Sequence, residues 1–176
     1  MRSISPALGL LLIGNAIPLV AYSEVYLTEE QAVKSIFPDL TFSKRSLELT
    51  AEEQKKIEDL SGQRVRAATL TAWTNAKKQI VFIDQVIGKH EFITYAVGIS
   101  PDGKVQGIEI LEYRESYGQQ VKEEPWRKQF VGKTKDATLK VGSDISNISG
   151  ATLSSTHVTA GVKRILQTYE CVKGRI

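Results

Sequence analysis

The stretch from Gln79 to Leu111 decides most of what this chain can become. Gln79 to Ile87 reads Q-I-V-F-I-D-Q-V-I, an apolar, β-branched run of strand length, and Gly88-Lys89 breaks it as a turn. Phe92 to Ile99 then alternates. Ile93, Tyr95, Val97 and Ile99 fall on one side, because successive side chains of a strand point to opposite faces. Ser100-Pro101-Asp102-Gly103 is a tight-turn sequence, with Pro pre-setting φ at the second position and Gly at the fourth. Val105 to Leu111 follows as the return strand. Strands joined by turns this short run antiparallel. Helical segments precede and follow them, so the fold class is α+β: an antiparallel sheet flanked by helices.

The longest helix comes last. Val158, Val162, Ile165, Tyr169 and Val172 recur at helical spacing and make one apolar face, and Ser154, Ser155 and Thr156 are each candidate N-caps for it. Near the start, Thr28-Glu29-Glu30-Gln31 opens a helix as a capping box, and Pro38 closes it. A short extended piece is expected over Leu40 to Ser43. Thr50-Ala51-Glu52-Glu53 begins a second capped helix that runs to about Leu60 and ends at Ser61-Gly62. These two helices form an N-terminal helical subregion over 24–62, and the main domain takes 63–176.

Residues 1–23 read as a targeting segment. Arg2 precedes a mostly apolar run from Pro6 to Tyr22 with no charge until Glu24, and Ala21-Tyr22-Ser23 offers a small-x-small cleavage site. Gly14, Asn15 and Pro18 interrupt the run, which falls short of the about 20 apolar residues a spanning helix wants. A cleaved signal peptide, and hence an exported protein, is the expectation. The net charge of +3 is spread among interspersed acids and bases, with no basic stripe, so nucleic acid is not the expected partner. Cys171 stands alone, which leaves no internal disulfide and no C-x-x-C-H haem site. His90 and His157 are the only histidines, so no metal site can be argued, and no Ser-His-Asp candidate set stands in a supporting context. No catalytic residue is assigned.

The chemistry is expected where the long helix begins, at Ser149-Gly150-Ala151-Thr152-Leu153-Ser154. Gly150 and Ala151 carry almost no side chain, so a bulky ligand can approach the backbone, and Thr152 presents a hydroxyl just ahead of a helix N-terminus. Free amides and the positive end of the helix dipole favour a phosphate there. A second constellation leaves the central hairpin: Tyr113-Arg114-Glu115-Ser116-Tyr117-Gly118, then Trp126 and Phe130 four apart on a short helical stretch. Read by spacing alone, that pair faces the core.

These segments resemble the FMN-binding domain family, which includes the FMN-carrying subunits of bacterial sodium-pumping NADH:quinone reductases and of Rnf complexes. The resemblance covers roughly Glu91 to Tyr169 and rests on the S-G-A-T tetrad and the helix after it. It rests also on Glu115-Ser116-Tyr117-Gly118 after the hairpin and on Gln129-Phe130-Val131-Gly132-Lys133. It implies FMN as cofactor, joined through a phosphoester to Thr152 by a separate flavin transferase. The remaining cofactor-binding candidates are Ser149, Gly150, Ala151, Leu153, Ser154, Glu115, Ser116, Tyr117, Gly118, Trp126 and His157. Tyr117 or Trp126 would wall the isoalloxazine, Glu115 would accept from a ring N–H or a ribityl hydroxyl, and His157 would reach the phosphodiester or face a partner. One position departs from the family motif: six residues before Thr152, where an Asp is usual, stands Ser146, with Asp144 two residues further back. The implied function is electron relay between membrane redox partners and an extracytoplasmic acceptor, by a carrier rather than a stand-alone enzyme. The alternatives are a flavin-free assembly module of the same fold and an FMN-dependent reductase of a small substrate.

Overall fold

The computed structural model describes residues 24–115 and 117–176. The expected signal peptide and Ser116 lie outside the described residues.

Among the described residues, six strands form one antiparallel sheet in the order β1-β6-β5-β4-β3-β2. They are β1 (Glu24–Val25), β2 (Ser43–Glu48), β3 (Thr69–Thr74), β4 (Ile80–Ile87), β5 (Phe92–Ile99) and β6 (Val105–Tyr113). The helices are α1 (Glu29–Ile36), α2 (Ala51–Ser61), α3 (Glu124–Arg127) and α4 (Thr152–Val172). A 3₁₀ turn sits on either side of α3, at Gln119–Lys122 and Lys128–Phe130, and Lys173–Arg175 forms another after α4. The α+β class and the central hairpins stand as expected. Both N-terminal helices begin with the reciprocal bonds of a capping box, at Thr28 with Gln31 and at Thr50 with Glu53.

Three strands differ from the expectation, among them β1 at Glu24–Val25, where no strand is expected. The extended piece expected at Leu40 to Ser43 lies further along, as β2, and Thr69–Thr74 adds a strand outside the expected set. β2 reads S-K-R-S-L-E and, as an edge strand, buries only Leu47, so it carries none of the alternation that marks a half-buried strand. β1 pairs Glu24 and Val25 with Tyr113 and Glu112 at the other edge, so segment 24–62 shares the sheet with everything after it.

Both faces of the sheet are covered. Ile80, Phe82, Ile93, Tyr95, Val97 and Ile99 join Ile57 of α2 and Val158, Val162 and Ile165 of α4 in the larger core. On the opposite face Val81, Ala96 and Leu111 pack on Ala32, Val33 and Phe37. Burial on both sides is why β4 reads as a continuous apolar run rather than an alternating one. An ion pair lies within the α4 face: Arg164 pairs with Asp84 at 2.5 Å, and Tyr95 donates its hydroxyl to the same carboxylate at 2.6 Å. Burial, first of all, and the Asp84 charge push the Tyr95 phenol well above its ordinary value, so it remains a neutral donor.

Candidate functional site

Three segments meet at the N-terminal end of α4: the β4–β5 turn, the loop that leaves β6, and the S-G-A-T stretch. They enclose a hollow of about 480 Å³, lined by Lys89 and His90, by Glu115 and Tyr117, and by Gly150 to Ser154. That size lies within the range of small-molecule and cofactor sites.

The helix wall is built first. α4 starts at Thr152 with Ala151 at the N-cap position and no side-chain cap, so the expectation that Ser154, Ser155 or Thr156 caps it is corrected. The serine hydroxyls are used elsewhere. Ser155 donates back to the Ala151 carbonyl at 2.9 Å, and Ser154 is buried and bonded to the Tyr113 hydroxyl at 2.8 Å. The first turn of a 21-residue helix therefore opens on the hollow without a side-chain acceptor of its own. Thr152 is exposed, and Asn147 donates from Nδ2 to its Oγ1 at 3.3 Å. Asn147 Oδ1 also lies 3.3 Å from the Ser155 hydroxyl, whose one hydrogen goes to the closer Ala151 carbonyl, so Asn147 sits against both Thr152 and the turn behind it.

The floor is Tyr113, almost fully buried at the end of β6. Its hydroxyl donates to the Tyr117 carbonyl at 2.5 Å and receives the bond from Ser154, and burial pushes the phenol above its ordinary value. Gly118 crosses directly over this contact with φ +96°; a Cβ there would lie 2.5 Å from the Tyr113 hydroxyl and 3.1 Å from Ala151 Cβ. Only glycine brings the loop this close to α4.

The third wall is the β4–β5 turn, closed by the Gly88 amide on the Glu91 carbonyl at 2.8 Å. Glu115 Oε1 accepts the backbone amides of His90 and Glu91. Partial burial pushes this carboxyl up, but the amides of Glu91, His90 and Lys89, with the His90 charge, outweigh it and hold it below the ordinary glutamate value. Gly88 leaves room for that carboxylate, since a Cβ would fall 2.6 Å from Oε1.

The structure thus brings together Thr152, Gly150, Ala151, Leu153, Ser154, Glu115 and Tyr117 in the hollow's lining, with Gly118 beneath. Three candidates are placed elsewhere. Trp126 sits in the core, edge-on to Phe130 at 5.1 Å, and donates its indole N–H to the Ser146 carbonyl at 2.9 Å; it props the loop before S-G-A-T and does not wall the hollow. Ser149 is exposed on the approach to the tetrad and is not part of the lining. His157 is not part of the lining; its Nδ1 lies 2.6 Å from the Ile87 carbonyl and 3.0 Å from that of Gly88. Asp144 does not reach Thr152 in place of the missing Asp. Its carboxylate takes the amides of Leu139 and Lys140 and the Lys133 ammonium, the last at 3.1 Å. Gln129 accepts from the Ser146 amide at 2.7 Å, so the Gln-Phe-x-Gly-Lys stretch anchors the loop that delivers the tetrad. Lys89, His90 and Asn147 were missed as lining or bracing residues. No spacing signals them, because they enter through the folding of one turn onto another.

A flat aromatic ligand carrying a phosphate fits these walls. Tyr117 is 83% exposed and Leu153 47%, which gives an apolar rim, while the uncapped first turn and Thr152 supply donors for phosphate. Residues 88–167 match the FMN-binding domain family. Over 82 residues the chain is 35% identical to a protein of Acetobacterium woodii that is a component of its Na(+)-translocating ferredoxin:NAD(+) oxidoreductase complex. That stretch is 42% of this chain, and it spans 40% of the relative's length. With the hollow, the hydroxyl and the open helix end all inside the matched segment, residues 88–167 belong to the FMN-binding domain family, and FMN is the cofactor.

Proposed function

We propose that the chain is an exported electron-transfer flavoprotein that carries FMN as a phosphoester on Thr152. It would relay electrons between membrane redox partners and an extracytoplasmic acceptor. The observation that carries this reading is the exposed Thr152 hydroxyl, set at the open N-terminus of α4 on the rim of the hollow. When bound, the flavin supplies the capacity to take up and release one or two electrons. This chain's own residues hold and orient it. The first-turn amides would receive the phosphate, Leu153 and Tyr117 would flank the ring, and Tyr113 with Ser154 would form the floor.

Attachment needs a donor and a base. The Thr152 oxygen loses its proton and bonds to the flavin-side phosphorus of a flavin dinucleotide, and the nucleoside monophosphate leaves. Asn147 orients the oxygen through Nδ2, a donor that cannot take a proton, and this reading gives the deprotonation to the transferase. Covalency suits the compartment. A reversibly bound cofactor is held only by mass action with free ligand, and little free FMN is expected outside the cytoplasm. The relative's place in a redox complex supports membrane partners for this chain too.

The test is intact mass and peptide mapping of the exported protein after co-expression with a flavin transferase. The expected result is one FMN less one water on Thr152, visible absorption that survives denaturation, and loss of both in Thr152→Ala. An adduct on Ser154 or Thr156 overturns the assignment. An N-terminus other than Glu24 on the secreted protein overturns the reading of cleavage after Ser23.

A further inference from the structure

His157 has no part in the attachment chemistry, yet among the described residues it is the side chain that ties α4 directly to the carbonyl side of the β4–β5 turn. We propose that His157 is a positioning residue for the FMN site: it sets the distance between the turn bearing Lys89 and His90 and the first turn of α4. The inference rests on the assignment of the hollow to FMN.

The argument starts from the donor inventory. Both partners of Nδ1 are backbone carbonyl oxygens, of Ile87 and Gly88, and a carbonyl only accepts. Nδ1 therefore carries its hydrogen, and in the neutral ring Nε2 is the acceptor nitrogen. The bond survives protonation, because Nδ1 keeps its hydrogen in both forms. The same turn is held on its amide side by Glu115 Oε1, which accepts from His90 and Glu91. One short turn is thus gripped from both sides. The carbonyls are fixed to α4 and the amides to the loop that runs on to Tyr117.

These grips belong to different walls. Glu115 links the turn to the loop after β6, and Tyr113 links that loop to Ser154 of α4. His157 closes the ring of contacts by joining α4 back to the turn. Without it the carbonyl side of the turn loses its direct hydrogen bond to α4, and Lys89 and His90 are held by the β4–β5 ladder and Glu115, with Arg164 bonding β4 further back at Asp84 and Gln85. α4 is the rigid reference, a long helix buried along most of its length after the first turn.

The experiment uses the full chain with three substitutions. His157→Leu removes the donor, His157→Asn keeps one near the Nδ1 position, and His157→Gln places one too far out. In flavin-free protein, amide exchange at His90 and Glu91 should quicken about tenfold in the Leu and Gln variants and return towards the parent in Asn, as loss of a bifurcated hydrogen bond to backbone implies. Amides in the middle of β4 and β5 should not change. In protein loaded with FMN, the visible spectrum and midpoint potential should shift in Leu and Gln and return in Asn. Unchanged exchange at His90 and Glu91 in both Leu and Gln overturns the proposal, as does faster exchange with unchanged spectrum and potential in protein whose FMN maps to Thr152. If His157→Leu fails to fold, the Asn and Gln pair decides alone. The exchange arm needs no flavin, so it reads out even where FMN proves to be attached elsewhere than Thr152. Failure of that assignment and failure of this one are therefore distinguishable.

Discussion

Gly118→Ala tests whether the floor of the hollow is as tight as it looks. Two costs combine at this position. At φ +96° an alanine is strained by about 1–2 kcal/mol. Its Cβ would also come 2.5 Å from the Tyr113 hydroxyl and 3.1 Å from Ser154 Oγ. Neither neighbour can yield cheaply, because both are buried and bonded to each other. Overpacking of that kind costs about 1–3 kcal/mol more. Gly132→Ala supplies the control. Gly132 has φ +79° but nothing within 4 Å of the added carbon, so it carries the strain without the clash. The unfolded-state effect of replacing glycine is common to both variants and cancels. Thermal melts should therefore place Gly118→Ala below Gly132→Ala by about 1–3 kcal/mol, or roughly 3–10 °C for a domain of this size. Equal melting temperatures would refute the reasoning, since they would mean that the loop lifts off α4 without cost.

Asp84→Ala strands the buried Arg164 charge and the Tyr95 hydroxyl together, and equilibrium unfolding should show a loss of about 3–5 kcal/mol; a loss below about 1 kcal/mol would contradict the burial of the pair. Tyr117→Ala should leave stability within about 0.5 kcal/mol, as its exposure implies, yet alter the absorption and fluorescence of bound FMN; an identical spectrum removes Tyr117 from the ring wall. Asp144 titrates below its ordinary value of 3.8: burial raises it, but the Lys140 amide, Lys133 and the Leu139 amide together lower it more. A depressed folded-state value means that its stabilisation is fully present above about pH 4 and is lost as pH falls through the folded-state value. Parent protein should therefore lose stability in that acid range more steeply than Asp144→Asn, and parallel acid limbs would count against it. Under limiting transferase, Ser146→Asp should raise flavin occupancy over the parent, and equal occupancy would show that the enzyme does not read this position.

What is legible in the sequence follows from what burial imprints on it. β4, β5 and β6 announce themselves because apolar positions repeat on faces that are covered, and the capping boxes at Thr28 and Thr50 are local devices whose partners lie three residues away. β2 leaves no imprint because an edge strand facing solvent needs no apolar face. The start of α4 misleads for a related reason. Ser154 and Ser155 look like caps in sequence, but Tyr113 and the Ala151 carbonyl use their hydroxyls, and a partner 41 residues away is invisible in a local pattern. Trp126 and Tyr117 are equal candidates for a ring wall until the chain is folded. Only the fold distinguishes the one that props a loop from the one that stands in solvent. The S-G-A-T tetrad is legible as a unit. Its support by Asn147 is not, since that contact depends on how the loop after Asp144 closes.

The pairing of β1 with β6 bears on how the protein is handled. Val25 and Glu24 sit opposite Glu112 and Tyr113, so β1 is joined to the sheet beside the tyrosine that floors the hollow. The other terminus is tied down away from it, where Arg175 holds the Glu48 carbonyl and the Glu53 carboxylate. A surface tether, fluorophore or purification handle attached after Ile176 sits at the end of the chain held by Glu48 and Glu53, whereas the same group ahead of β1 joins the chain at the sheet edge that pairs with Tyr113.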